Sequence, residues 1–191
     1  FRHGLGGAAV SVDTACSSSL VAAHLGARGM GAAEAEGSVV CAVNLFMSPS
    51  AHEVCMAASM LSPEGRCKVL DAGADGYMKS EGYGSVVLAA RTEAGAGGGG
   101  AAAWAVLEGS AANQDGRSSS LTAPGGPAQR RVMARALAGA RRGAVEVGVL
   151  QMHGTGTPLG DPIEVGAARG ALEGAGGGGG AAGGRVPRPE G

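Results

Sequence analysis

The chain has 191 residues, enough to bury a sizeable core, and its 15 basic and 16 acidic side chains leave a net charge of −1. That balance gives no electrostatic footprint for nucleic acid or an anionic membrane, and no apolar run reaches the roughly 20 residues of a membrane-spanning helix. The opening FRHGLGG has neither the basic n-region nor the apolar h-region of a signal peptide, so an intracellular, cytoplasmic protein is expected.

With 38 glycines and five aromatics (Phe1, Phe46, Tyr77, Tyr83 and Trp104), any core must be built from Ala, Val, Leu and Met, which suits close helix-on-sheet layers. The four cysteines form no CxxC pair and none has a histidine at metal-ligand spacing, so no metal site is expected. Cys41, Cys55 and Cys67 read as small buried hydrophobes.

In chain order, AAVSV (8–12) alternates as a half-buried strand. Leu20, Ala23, Ala27 and Met30 then recur at helical spacing, so Cys16 falls at a strand-to-helix corner. SVVCAVNLFM (38–47) reads as a buried strand ending at the Ser48-Pro49 turn; GYGSVVLAAR (82–91) and AWAVLEGSA (103–111) are two more strand candidates. The tracts 94–103 and 174–184 are almost wholly Gly and Ala, too poor in side chain to offset chain entropy, and read as flexible surface insertions. AQRRVMARALAGARR (128–142) sets Met133, Ala136, Leu137 and Ala140 on one helical face and Arg131, Arg135 and Arg142 on a solvated one. VGVLQM (147–152) is a strand leading into HGTGTPLGDPIEVGAARGAL, where Asp161 suits an N-cap, Pro162 the first helical position and Glu164 the third position of a capping box. Strands alternating with helices predict an α/β architecture.

Two stretches carry chemistry. A helix N-terminus favours the thiolate, the reactive form of cysteine, and Cys16 is placed to benefit; Ser17, Ser18 and Ser19 are small and can satisfy first-turn amides. From that stretch alone, a packed thiol ahead of capping serines reads equally well. HGTGTPLGD shifts the balance: Gly154 and Gly156 permit close approach of the backbone to a ligand, Thr155 and Thr157 offer hydroxyls, and His153 ends a strand, where α/β sheets place ligand-facing groups. As a dinucleotide signal its GxG is weak, because the third glycine is missing. Cys and His partners are brought together by the fold rather than by proximity in sequence.

DTACSSSL and HGTGTPLGDPIE resemble the β-ketoacyl synthase (ketosynthase) domains of type I polyketide synthases, with animal-type fatty acid synthases close behind. LSPEGRCKVLDAGADGYMKSEGYGSVVL (61–88) and GSAANQDGRSSSLTAPGGPAQ (109–129) look like the same family's intervening blocks, in the family's order. The resemblance implies a thiolase-like layered α/β fold and a decarboxylative Claisen condensation. In it Cys16 takes an acyl chain as a thioester, His153 stabilises the enolate left when a malonyl-type extender loses CO₂, and Thr155 and Thr157 contact a phosphopantetheine arm. That arm belongs to an acyl carrier protein partner, so no cofactor is expected on this chain; a homodimer is implied likewise.

The family's Lys-Ser-Asn-(apolar)-Gly-His stretch, with its second histidine and its lysine, has no counterpart among the 191 residues, and the segments before the nucleophile are short. Residues 1–191 therefore read as a partial ketosynthase domain lacking N-terminal and C-terminal parts, inactive by itself. Cys41-Ala42 stand where the family usually has two glycines, and Ser120 where it has one. The rival readings are a non-catalytic ketosynthase scaffold or gene fragment, and a Cys-His hydrolase, whose CGSCW-like or QACRG-like signatures are missing.

Overall fold

A computed structural model describes residues 4, 6–90, 103–120 and 123–176. Among these residues the helices are α1 (Ser18–Gly31), α2 (Ser50–Ala57), α3 (Gly126–Ala140) and α4 (Gly160–Gly176), and the strands are β1 (Gly37–Asn44) and β2 (Gly82–Ala89). Single 3-10 turns occupy Ala15–Ser17 and Ala144–Glu146. Helices α1, α3 and α4 lie where the sequence predicts helices, while α2, after the Ser48-Pro49 turn, was not expected. None is long and apolar enough to cross a membrane among the described residues.

The valine-rich segments β1 and β2 pair antiparallel, from Gly37 opposite Ala89 to Asn44 opposite Gly82. Side chains alternate across the pleat, so Val40, 8% exposed, points beneath α1, whose Gly26 lies against Ser38 and Val40. Val39, Val43, Tyr83 and Val87 share the opposite face and are exposed. A second seam joins α3 to α4 through the buried Ala128, Ala167, Ala168 and Ala171, as a composition poor in aromatics requires.

Three expected strands do not form. Residues 8–12, 103–111 and 147–152 carry no ladder, because a strand exists only through a neighbour that takes up its N–H and C=O groups, and none is paired with them among the described residues. Cys41 and Cys67 are exposed and Cys55 is half-buried, so none of the three is the buried hydrophobe expected. For Cys41 the cause is register: it lies on the same exposed face of β1 as Val39 and Val43.

The face Met133–Ala136–Leu137–Ala140 of α3 does turn toward α4, lining with Ala171 and Leu172 a cleft of about 590 Å³. Arg142 is exposed, as are Arg131 and Arg135, but lies past the end of α3. Arg141 takes a left-handed conformation (φ 55°) that ends α3 and turns Arg142 onto Glu108 (2.5 and 2.9 Å) and Glu146 (2.8 Å). Residues 174–176 close α4 instead of opening a loop, while residues 94–102 and 177–184 of the two glycine tracts lie outside the described residues.

Candidate active site

Cys16 sits in the 3-10 turn leading into α1, directly after Ala15, whose φ of 56° is a left-handed conformation that non-glycine residues seldom adopt. The corner is tied by its own side chains. The Asp13 carboxylate accepts the Ala15 amide at 3.0 Å, and Ser18 Oγ accepts the Thr14 amide at 2.8 Å and donates to the Ala15 carbonyl at 2.7 Å. Ser17 Oγ donates to the Thr14 carbonyl at 3.0 Å. Ser17 and Ser18 thus lock the bend, and they do not cap first-turn amides as expected. Without a side-chain cap, the positive end of α1 stays open beside Cys16, which is exposed and whose thiol has no hydrogen-bond partner among the described residues.

The HGTGT loop is held from the other side. Glu164 accepts the amides of His153 (2.6 Å) and Gly154 (2.9 Å). Asp161, 3% exposed, accepts the amide of Gly156 at 3.1 Å and that of Leu70 at 2.8 Å. The expected capping box is therefore absent: α4 begins at Gly160, whose amide donates to Thr157 Oγ1 at 3.0 Å, and both acids turn outward because loop amides with no other acceptor lie within their reach. Thr155 and Thr157, half-buried, share a 3.1 Å hydroxyl contact. His153 is exposed, and its imidazole has no hydrogen-bond partner among the described residues. No hydrogen bond joins Cys16 to His153.

The segment 60–78 lies against the HGTGT loop. Gly156 (φ 69°) presses on it so closely that an added Cβ would fall 2.7 Å from the Lys68 amide nitrogen. Gly154 likewise lies over Val69, so the close approach these glycines permit is to the chain itself. The Gly76 amide donates to the Gly156 carbonyl at 3.1 Å, with Gly76 at φ 140°. Lys68 steadies the segment through Asp75 (2.7 Å) and Glu64 (3.3 Å), and its ammonium holds the Asp75 carboxyl below its ordinary range. A methyl group at residue 156 meets backbone on one side and a left-handed φ on the other. Gly156→Ala is expected to lower stability by about 1–3 kcal/mol from the dihedral alone, read by urea denaturation.

Burial, followed by the Cys55 thiol and the charge of Cys16, pushes the Tyr77 phenol up to about 12. A folded-state value above the unfolded one near 10 means that this contribution is whole below pH 10 and is lost as pH rises toward 12. In Tyr83→Phe, where Tyr77 is the sole tyrosine, the phenolate absorbance should rise near pH 12, with unfolding in the same interval. A transition at pH 10 in folded protein would contradict the placement.

Gly76, Tyr77, Asp161 and Glu164 were not anticipated in these roles. The one signal for Gly76 and Tyr77 is that 61–88 forms a block of the family pattern, and for Asp161 and Glu164 that they stand in HGTGTPLGDPIE. Among the described residues no group of three or more His, Cys, Asp or Glu is arranged to hold a metal.

The family model described as "Beta-ketoacyl synthase, N-terminal domain" matches residues 1–94, and that described as "Beta-ketoacyl synthase, C-terminal domain" matches 104–178. One component of the phenolphthiocerol/phthiocerol polyketide synthase of Mycobacterium tuberculosis is 48% identical over 162 residues, 85% of this chain and 7% of that protein. Polyketide synthase GfsA of Streptomyces halstedii is 46% identical over 167 residues, 87% of this chain and 2% of that protein. Among solved structures, the oxazolomycin ketosynthase domain OzmH KS7 of Streptomyces albus superposes with a TM-score of 0.83 at 35% identity, over 88% of this chain and 29% of that one. The ketosynthase from module 6 of the Bacillus subtilis bacillaene synthase gives 0.77 at 33%, over 86% and 29%. The layered, thiolase-like α/β fold expected from the sequence is borne out over the part of that fold the chain spans.

Proposed function

The chain belongs to the β-ketoacyl synthase family, as part of a type I polyketide synthase ketosynthase domain, and from that premise we propose that Cys16 and His153 serve one decarboxylative Claisen condensation. Cys16 Sγ attacks an acyl thioester, the donor thiol leaves, and the acyl group rests on the sulfur. A malonyl-type thioester then loses CO₂, and its enolate carbon attacks the acyl carbonyl. The new C–C bond forms as the C–S bond breaks and Cys16 departs as thiolate. Thioester exchange needs a good nucleophile that is also a good leaving group, which a thiolate is and an alkoxide is not. The imidazole of His153 donates toward the enolate oxygen as its charge develops. Thr155 and Thr157 take the phosphopantetheine arm of the extender, which an acyl carrier protein supplies, and the complete enzyme works as a homodimer.

The observations that support this reading are the exposed Cys16 at the uncapped start of α1 and the HGTGT loop held in place by Asp161, Glu164 and Gly76. The chain spans 29% of the ketosynthase chains it superposes on, so it should not condense anything by itself. Incubating the full-length polypeptide with an acyl thioester and mapping the adduct by mass tests the reading. An acyl group confined to Cys16 supports it, no adduct supports a scaffold, and hydrolysis of a peptide amide supports a Cys-His hydrolase.

A further inference from the structure

His24 lies two turns along α1 from Cys16, half-buried, and its Nδ1 makes a 2.8 Å hydrogen bond with the hydroxyl of Ser110, 86 residues away. Ser110 belongs to a segment fastened to α3. Gly109 passes so near that an added Cβ would fall 2.5 Å from the Ala136 carbonyl oxygen, and Asn113 Nδ2 donates to the Ala128 carbonyl at 2.8 Å. Helix α3 packs on α4, and α4 holds the HGTGT loop through Asp161 and Glu164. A polar contact thus ties the helix that Cys16 leads into to the helical pair that holds the HGTGT loop. It is separate from the contacts of segment 60–78 with the HGTGT loop, and it joins segments 86 residues apart in sequence.

We infer that His24 is a positioning residue for condensation: through Ser110 it sets where α1, and with it Cys16, stands relative to the HGTGT loop. The inference rests on the reading of Cys16 and His153 as partners. Acylation asks only for the thiol and a donor thioester. Condensation asks that acyl-Cys16 and the extender at His153 be aligned, and a misplacement of about 1 Å from a distant change can cost about 100-fold.

The test uses the full-length polypeptide with His24→Ala, Ser110→Ala and His24→Asn, the last keeping a side-chain nitrogen near the place of Nδ1. Condensation should fall about 10- to 100-fold in both alanine variants, acylation of Cys16 should stay within about twofold, and His24→Asn should recover most of the loss. Equal losses in acylation and condensation, or full condensation in Ser110→Ala, would overturn the inference. A second arm does not depend on the chemistry: spin labels on Cys16 and on Arg135→Cys, with Cys41, Cys55 and Cys67 changed to Ser, report the distance from α1 to α3. The distribution should broaden in both alanine variants and narrow again in His24→Asn; an unchanged distribution refutes the positioning role. If the unaltered protein never acylates Cys16, the functional reading fails while the distances still decide this one.

Discussion

Asp161→Ala is expected to cost about 3 kcal/mol of stability and to release the HGTGT loop from its support. Asp161 is 3% exposed, and its two carboxylate oxygens accept amides from two separate segments, Gly156 and Leu70. Truncation leaves both donors without that acceptor, at about 1–3 kcal/mol for each unsatisfied group. Asp161→Asn keeps one acceptor oxygen and should fall between. Urea denaturation of the three proteins gives the order, with unchanged slopes marking a loss of stability rather than a change in the unfolded state. If Asp161→Ala unfolds at the same urea concentration as the parent, the carboxylate is not the clamp described here.

The second large effect is a division of labour. Cys16→Ala should abolish acylation outright, since the atom that forms the thioester is gone. His153→Ala should leave acylation of Cys16 within about threefold and reduce condensation by about 10²- to 10³-fold, the usual loss when one donor to a developing oxyanion is removed. Rapid-quench measurement of acyl-enzyme beside product separates the two steps. Equal loss of both steps in His153→Ala would mean that the imidazole holds the Cys16 corner together instead of serving the extender.

Much of this was legible in the sequence and some was not, for reasons visible in particular residues. Helices α1, α3 and α4 announce themselves because a helix satisfies its own backbone, so the spacing of Leu20, Ala23 and Ala27, or of Met133, Ala136 and Leu137, is evidence enough. The runs around Val10, Val106 and Val149 look equally like strands but pair with nothing among the described residues, since a strand is a property of two segments and its own pattern names one. Cys16 stands out by residue type at the start of a helix, and His153 by the HGTGT pattern it opens. Asp161 and Glu164 were misread for a different cause: Asp-Pro-x-Glu has the same spelling whether its carboxylates fold onto their own helix or reach back to a loop. Gly76 acts across 80 residues on Gly156, a distance at which no local pattern exists.

The central claim is that residues 16 and 153 face a common space, and paramagnetic broadening reads this directly. A spin label on Cys16, with the other three cysteines changed to Ser, is compared with the imidazole signals of the four histidines. His24, eight residues along, lies about 12 Å away at 1.5 Å of rise per residue and serves as an internal ruler. The account predicts that His153 broadens at least as strongly as His24. A His153 signal that stays sharp while that of His24 disappears would place the two groups apart and contradict it.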